Sequence, residues 1–245
     1  MNSFPRALVL TGDGINCERE TAMAFQVAGA SPTIIHVNDL LAKPAMLADF
    51  QIFALPGGFS FGDELGSGQI LALKLKYGLS EELQRFSERQ LPIIGICNGF
   101  QALVKLGLLP KIKGKNFALA SNIQGHFTNR WVSLKPNREN SSPWLRDLPE
   151  ELQMPMRHGE GRLMCDNVTE KQLAPYIALS YSEDVNGSLY KIAGLTNKIG
   201  NVLGLMPHPE ANLFSLSRGP QQPGKAFEFS DGYFLFKNIV DYLRE

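Results

Sequence analysis

Long apolar runs, clustered cysteines and an excess of charge of either sign are all missing from this 245-residue chain. No stretch approaches the roughly 18 apolar residues of a membrane-spanning helix. The opening MNSFPRALVLTGDG lacks the basic region and apolar core of a signal peptide. Lys plus Arg number 24 and Asp plus Glu number 24, so charge gives no case for nucleic acid or an anionic membrane as partner. The three cysteines, Cys17, Cys97 and Cys165, are odd in number, far apart and without a C-x-x-C pair. That pattern argues against a disulfide framework or a zinc knuckle and for a reducing compartment, in which one thiol can be reactive. The expected location is the cytoplasm. With 44% hydrophobic and 20% charged residues, a sizeable core is available and disorder is not expected.

Short β-branched runs alternate with helical patterns through the first half. Strands are expected over Ala7–Thr11, Thr33–Val37, Ile52–Leu55 and Ile93–Ile96, with helices near Glu18–Ala28, Ile70–Lys76, Ser80–Glu88 and Gly99–Leu106. Such alternation implies an α/β fold whose mostly parallel sheet carries helices on both faces. From Asn116 to Arg162 the pattern turns to strands and loops (FALASNIQGHF, RWVSLK, QMPMRHGEGR). These read as antiparallel additions to the same sheet, because no Pro/Gly/Ser linker intervenes, and residues 1–245 are expected to form a single domain. Strands follow at Ile177–Tyr181, Ile192–Thr196 and Val202–Met206, then an amphipathic helix over Asp231–Leu243.

The run LPIIGICNGFQ, residues 91–101, stops a strand on Cys97 with glycine two places to either side. In a parallel sheet, ligands gather beyond the carboxyl ends of the strands. G-I-C-N-G has the spacing of the G-x-S-x-G nucleophile elbow with sulfur in place of oxygen. The glycines allow a sharp strand–helix turn, and the helix N-terminus offers positive potential that favours thiolate. A buried cysteine at a tight turn is the plainer reading; the paired glycines favour a nucleophile.

Such a nucleophile needs a base and an orienting group. His208 in MPHPE has Glu210 two residues on, and His158 in RHGEG has Glu160 at the same spacing, so spacing does not choose between them. Context favours His208, which follows an apolar strand and is flanked by prolines. His158 then shapes the pocket rim, and His36 and His126 are structural or exposed. The loop LPGGFSFGDELGSG (55–68) follows another strand, with glycines that let backbone N–H groups approach an oxyanion. Gly58 and Asn98 are the candidate donors. A phosphate loop is the competing idea, but neither G-K-[ST] nor a helix-opening G-x-G-x-x-G is present.

GICNGFQ, PGGFSFGD, RHGEG, DVNGS, IAGL and GNVLGLMPHPE occur in that order along the whole chain. Together they resemble the class I (triad) glutamine amidotransferases, which are flavodoxin-like, and within them the glutaminase subunits of phosphoribosylformylglycinamidine synthases. The resemblance implies a Cys97–His208–Glu210 triad, Gln101 as a glutamine-binding residue, and neither metal nor organic cofactor in this chain. It implies ammonia delivery to a synthetase subunit carrying ATP and Mg, in a complex that has room for a third small subunit. Two alternatives are a regulatory relative without activity and an amidotransferase with a different synthetase. Cys17 in GINCE matches the family and reads as structural or pocket-lining. Ala211 and Asn212 stand where many members carry arginine, and DELGSGQI lacks an arginine and a cysteine common in stand-alone subunits; both bear on partner contacts.

Overall fold

The computed structural model describes residues 4–219 and 227–245. Its first half runs β1 (Arg6–Thr11), α1 (Glu18–Ala28), β2 (Ser31–His36), α2 (Val37–Ala42), β3 (Ile52–Leu55), α3 (Gln69–Gly78), α4 (Ser80–Glu88), β4 (Ile93–Ile96) and α5 (Asn98–Lys105). The second half carries β5 (Phe117–Ser121), β6 (Thr128–Pro136), β7 (Leu152–His158), β8 (Glu160–Cys165) and α6 (Glu170–Leu173). It closes with β9 (Ile177–Tyr181), β10 (Ile192–Thr196), β11 (Val202–Leu205) and α7 (Asp231–Tyr242). No described helix is long and apolar enough to cross a membrane.

Nine strands form one sheet in the order β2-β1-β3-β4-β11-β10-β9-β6-β7. The first five are parallel and the remaining pairings antiparallel. Every residue of β3, β4 and β11 is buried, as apolar strands covered on both faces require. The chain steps from β1 outward to β2, then from β3 the other way to β4. Right-handed crossovers therefore put α1 and the α3–α5 group on opposite faces. Beside α1 lies α7, with Phe25 edge-on to Phe236 at 5.0 Å.

Two expectations need correction. FALAS does not join the main sheet: β5 pairs only with β8, from Phe117↔Cys165 to Ser121↔Glu160, as a separate two-stranded sheet. QMPMRHGEGR is accordingly two strands broken at Gly159. The chain folds back over its own imidazole there, and a Cβ at Gly161 would stand 2.2 Å from His158 Cε1. RWVSLK and QMPMRH do extend the main sheet. The second strand ends one residue earlier than its apolar run, because His36 caps α2 by accepting the Asn38 N–H at Nδ1 (3.2 Å).

The closest approach in the core is between α5 and the sheet. A Cβ at Gly99 would lie 1.9 Å from the Leu55 carbonyl oxygen, and one at Gly204 would lie 2.1 Å from the Phe100 ring. Backbone cannot yield as a side chain can. Gly99→Ala is expected to destabilise the protein by about 3 kcal/mol, the upper range of overpacking. A urea unfolding midpoint equal to wild type would contradict that contact.

Candidate active site

Cys97 ends β4 and precedes the first residue of α5, with φ 49° and ψ −105°. An L-residue occupies that region only when its surroundings over-determine it. Here the surroundings are glycine: a Cβ at Gly95 would stand 2.7 Å from Gly99 backbone, and Gly99 is itself pressed on Leu55. With glycine on both sides of the turn, strand and helix approach closely and the Cys97 side chain turns toward the cleft. Its thiol reaches toward the Arg157 carbonyl at the end of β7, 3.7 Å away.

His208 lies just beyond β11 and is braced from two sides. Its N–H donates to the Pro155 carbonyl of β7 at 2.8 Å. At the start of α7, Gly232 donates to the Asn212 carbonyl at 3.0 Å, and a Cβ there would stand 2.0 Å from the Pro209 oxygen. Asn212 also donates from Nδ2 to the Gln153 carbonyl (2.6 Å), so the residue that follows Ala211 is a structural brace. Within this turn His208 Nδ1 and Glu210 Oε1 are 2.6 Å apart, with both side chains almost wholly buried. Burial alone pushes the imidazole toward its neutral form. The Glu210 carboxylate, aided by the Cys17 and Cys97 thiols, outweighs that and holds the His208 pKa well above its usual value. His208 Nε2 is buried without a hydrogen-bond partner.

The loops after β1 and β3 close the opposite wall. Ile15 and Gly58 form an isolated antiparallel bridge, flanked by Phe59 N–H to Gly14 O (2.8 Å) and Asn16 N–H to Gly57 O (3.3 Å). In a bridge of that type the central residues exchange no hydrogen bond, so the Gly58 N–H is directed away from Ile15. Gly58 has φ 142° and room for no Cβ, which would fall 2.7 Å from Gly14 O. Asn98 is the first residue of α5, so its N–H has no intrahelical acceptor. A Cβ at Gly57 would meet His208 Cε1 at 2.8 Å and Cys97 Cβ at 3.4 Å, which places that glycine between imidazole and thiol. The cleft so enclosed is about 160 Å³ and is lined by Cys97, His208, Cys17, Asn16, Gly58, Phe59, Phe127 and Arg157.

Gln101 does not line this cleft. Its amide is spent inside the protein: Oε1 accepts from Asn98 Nδ2 (3.0 Å) and Nε2 donates to the Glu160 carbonyl (2.5 Å). His158, the competing histidine, makes no pair with Glu160. Its Nδ1 meets Asn122 Oδ1 at 3.1 Å, and burial, with the positive charge of His208 second, drives its pKa down to about 3. His126 is exposed, with Nδ1 against the Phe127 carbonyl. Cys17 stands at the cleft, its thiol pKa raised chiefly by burial. One donor atom each from Cys17, His208 and Glu210 lies within 4.8 Å of the other two, a set that a borderline cation such as zinc could also use.

This arrangement can be set against known proteins. The family model of the CobB/CobQ-like glutamine amidotransferase domain matches residues 4–243. The chain belongs to this family. It is 38% identical over 269 residues to phosphoribosylformylglycinamidine synthase subunit PurQ of Methanococcus maripaludis strain C7, covering 98% of each chain. It is 37% identical over 243 residues to the PurQ subunit of Thermotoga maritima, covering 98% of this chain and 99% of that one. Among solved structures, a chain of PurLQS from Thermotoga maritima superposes with a TM-score of 0.78 at 35% identity, covering 98% and 99% of the two chains.

Several cleft residues lie within segments the sequence singles out but are not marked there as lining a site. Phe59, Phe127 and Arg157 come to the cleft from three separate segments. Cys17 is flagged by its presence in GINCE, but its place beside His208 comes from the Cys17 N–H to Gly57 O bond of 3.3 Å. The neutral, buried His158 has a measurable consequence. Unfolded, it takes up a proton near 6.5; folded, only near 3, so stability present above pH 6.5 is lost as pH falls through that window. The full loss approaches about 5 kcal/mol. Urea midpoints between pH 7 and 4 are expected to fall less steeply for His158→Gln than for wild type, and equal slopes would overturn the assignment.

Proposed function

We propose that this chain is the glutaminase subunit of a phosphoribosylformylglycinamidine synthase, acting in the cytoplasm as one amidotransferase domain over residues 1–245. The observation that carries it is the buried His208–Glu210 pair set across the cleft from an elbow cysteine, in a chain that matches PurQ subunits over nearly its whole length. The Cys97 thiolate attacks the side-chain carboxamide carbon of glutamine. Gly58 and Asn98 N–H groups receive the oxyanion, the position where fixed donors act most strongly. His208 protonates the departing ammonia and then takes a proton from the water that hydrolyses the glutamyl thioester. Glu210 holds the imidazole in place throughout. Gln101 supports the glutamine site through Asn98 and the Glu160 carbonyl, since both ends of its own amide are already bonded.

Ammonia then passes to the synthetase subunit, which uses ATP to convert formylglycinamide ribonucleotide to the amidine for purine synthesis. Delivery inside a complex has a chemical reason: released at neutral pH, ammonia is mostly ammonium and no nucleophile. Turnover by the isolated chain is therefore expected to be low and to rise with the synthetase and its substrates. The test is peptide mapping after treatment with an electrophilic glutamine analogue, 6-diazo-5-oxo-L-norleucine, in the presence of the synthetase. A single adduct on Cys97 that glutamine suppresses is expected. Cys97→Ala should abolish glutamine-dependent amidation and leave the reaction with added ammonium intact. A Cys97→Ala complex that still uses glutamine would sink the reading.

A further inference from the structure

The two proposed oxyanion donors sit on separate stretches of backbone, and something must hold those stretches in register. One is the 57–60 loop after β3; the other is the first turn of α5. The Asn98 side chain, fully buried, is the tie between them: its Oδ1 accepts the Ser60 N–H at 3.1 Å, two residues beyond Gly58. An amide can be turned either way, and only one way works here. Rotated by half a turn, Nδ2 would face the Ser60 N–H, donor against donor. The acceptors around Nδ2 therefore decide the matter, and there are two: Asp63 Oδ1 at 2.8 Å and Gln101 Oε1 at 3.0 Å.

Asp63 is held for this purpose by an unusual backbone. Phe61, Asp63 and Leu65 all have positive φ (55°, 52° and 64°), in a loop whose Leu65 side chain is 82% exposed. Strain of this kind persists where the surroundings enforce it and concentrates at functional sites. The same Asp63 Oδ1 accepts the Gly68 N–H at 3.2 Å, which closes the loop against the start of α3. A Cβ at Gly68 would lie 3.0 Å from both Ala102 N and Asn98 O, so the loop ends flat against α5.

We propose that Asp63 is a positioning residue for the oxyanion hole: by accepting from Asn98 Nδ2 it fixes the amide that ties Ser60 to α5, and so holds the Gly58 and Asn98 N–H groups on one point. The inference deepens the glutaminase reading and rests on it. Asp63 touches neither glutamine nor the thiol in this scheme, so its loss acts on the tetrahedral intermediate and not on ground-state binding.

The experiment uses the full chain in complex with its synthetase and compares wild type, Asp63→Ala and Asp63→Asn. Three quantities are measured for each: kcat and KM for glutamine, the inhibition constant of L-glutamate γ-semialdehyde, and the rate of Cys97 alkylation by iodoacetamide followed by peptide mapping. The aldehyde adds the thiolate to give an oxyanion, whereas alkylation forms none. Asp63→Ala is expected to lower kcat by about 10- to 100-fold, the scale of one hydrogen bond to a charged group. KM should stay within about threefold, aldehyde affinity should fall in step with kcat, and alkylation should be unaffected. Asp63→Asn keeps an acceptor oxygen and should recover most of the loss. Unchanged aldehyde affinity in a slow Asp63→Ala enzyme overturns the proposal, as does a folded Asp63→Asn variant no better than Asp63→Ala. If Asp63→Ala does not fold, Asp63→Asn alone decides, its neutral acceptor being the weaker one: a small loss of aldehyde affinity matched to its kcat supports the positioning role, and a kcat loss with full aldehyde affinity, or no loss in either, overturns it. Wild type inert to both glutamine and aldehyde sinks the glutaminase reading and the positioning role together; active wild type matched by Asp63→Ala sinks the positioning role alone.

Discussion

The contact between Gly99 and the Leu55 carbonyl is the constraint from which the site follows. It brings the backbone of α5 directly against that of β3, and the chain enters the helix by turning at Cys97. A strained φ/ψ pair costs on the order of 1–3 kcal/mol. Ile93, Ile94 and Ile96 are fully buried on the strand side of the turn, and Phe100 and Leu103 almost so on the helix side. At roughly 1.5–3 kcal/mol per buried large side chain, that packing outweighs the strain several times over. The thiol is thus presented by the core, and its direction does not depend on any loop.

The imidazole that faces this thiol comes from the other half of the sheet. His208 lies just beyond the parallel strand β11, next to β4, yet its turn is braced by the antiparallel edge strand β7 and by α7. Antiparallel strands added beyond β11 therefore shape the candidate site directly: they carry Pro155, Gln153 and the Arg157 carbonyl to Cys97 and the His208 turn. Without β6 and β9 between β10 and β7, those groups would have no route to the carboxyl edge of the parallel strands.

Much of this is legible in the sequence, for a local reason. Cys97, Gly58 and His208 each lie beside the glycines or prolines that set their own backbone, so spacing along the chain carries the geometry. The strands β3, β4 and β11 announce themselves as short apolar runs for the same reason. What is illegible depends on distant pairing. β5 and β8 alternate as any half-buried strands do, and nothing within either says that its partner is the other. Asn98 reads as the residue after a nucleophile; that its side chain spans to Ser60 and Asp63 depends on a loop of positive-φ residues no pattern announces. The arginine absent after Glu210 likewise acquires meaning only in three dimensions, where Asn212 fills the position by bonding Gln153 and Gly232.

The two His-x-Glu segments show how far identical spacing is from identical chemistry. Both histidines are buried, and burial depresses both. At His208 a carboxylate at 2.6 Å reverses the effect; at His158 the nearest partner is a neutral amide, and the charge on His208 adds to the depression. The two imidazoles are therefore pushed in opposite directions within the same wall, His208 toward its protonated form and His158 toward its neutral one. In the proposed cycle this division has a purpose. Glutamine is a poor acylating agent because its leaving group is an amine, which departs only as it gains a proton. An imidazole biased toward its protonated form is suited to supplying that proton. The Glu210 carboxylate thus does more than orient a ring: it strengthens the imidazole's hold on a proton.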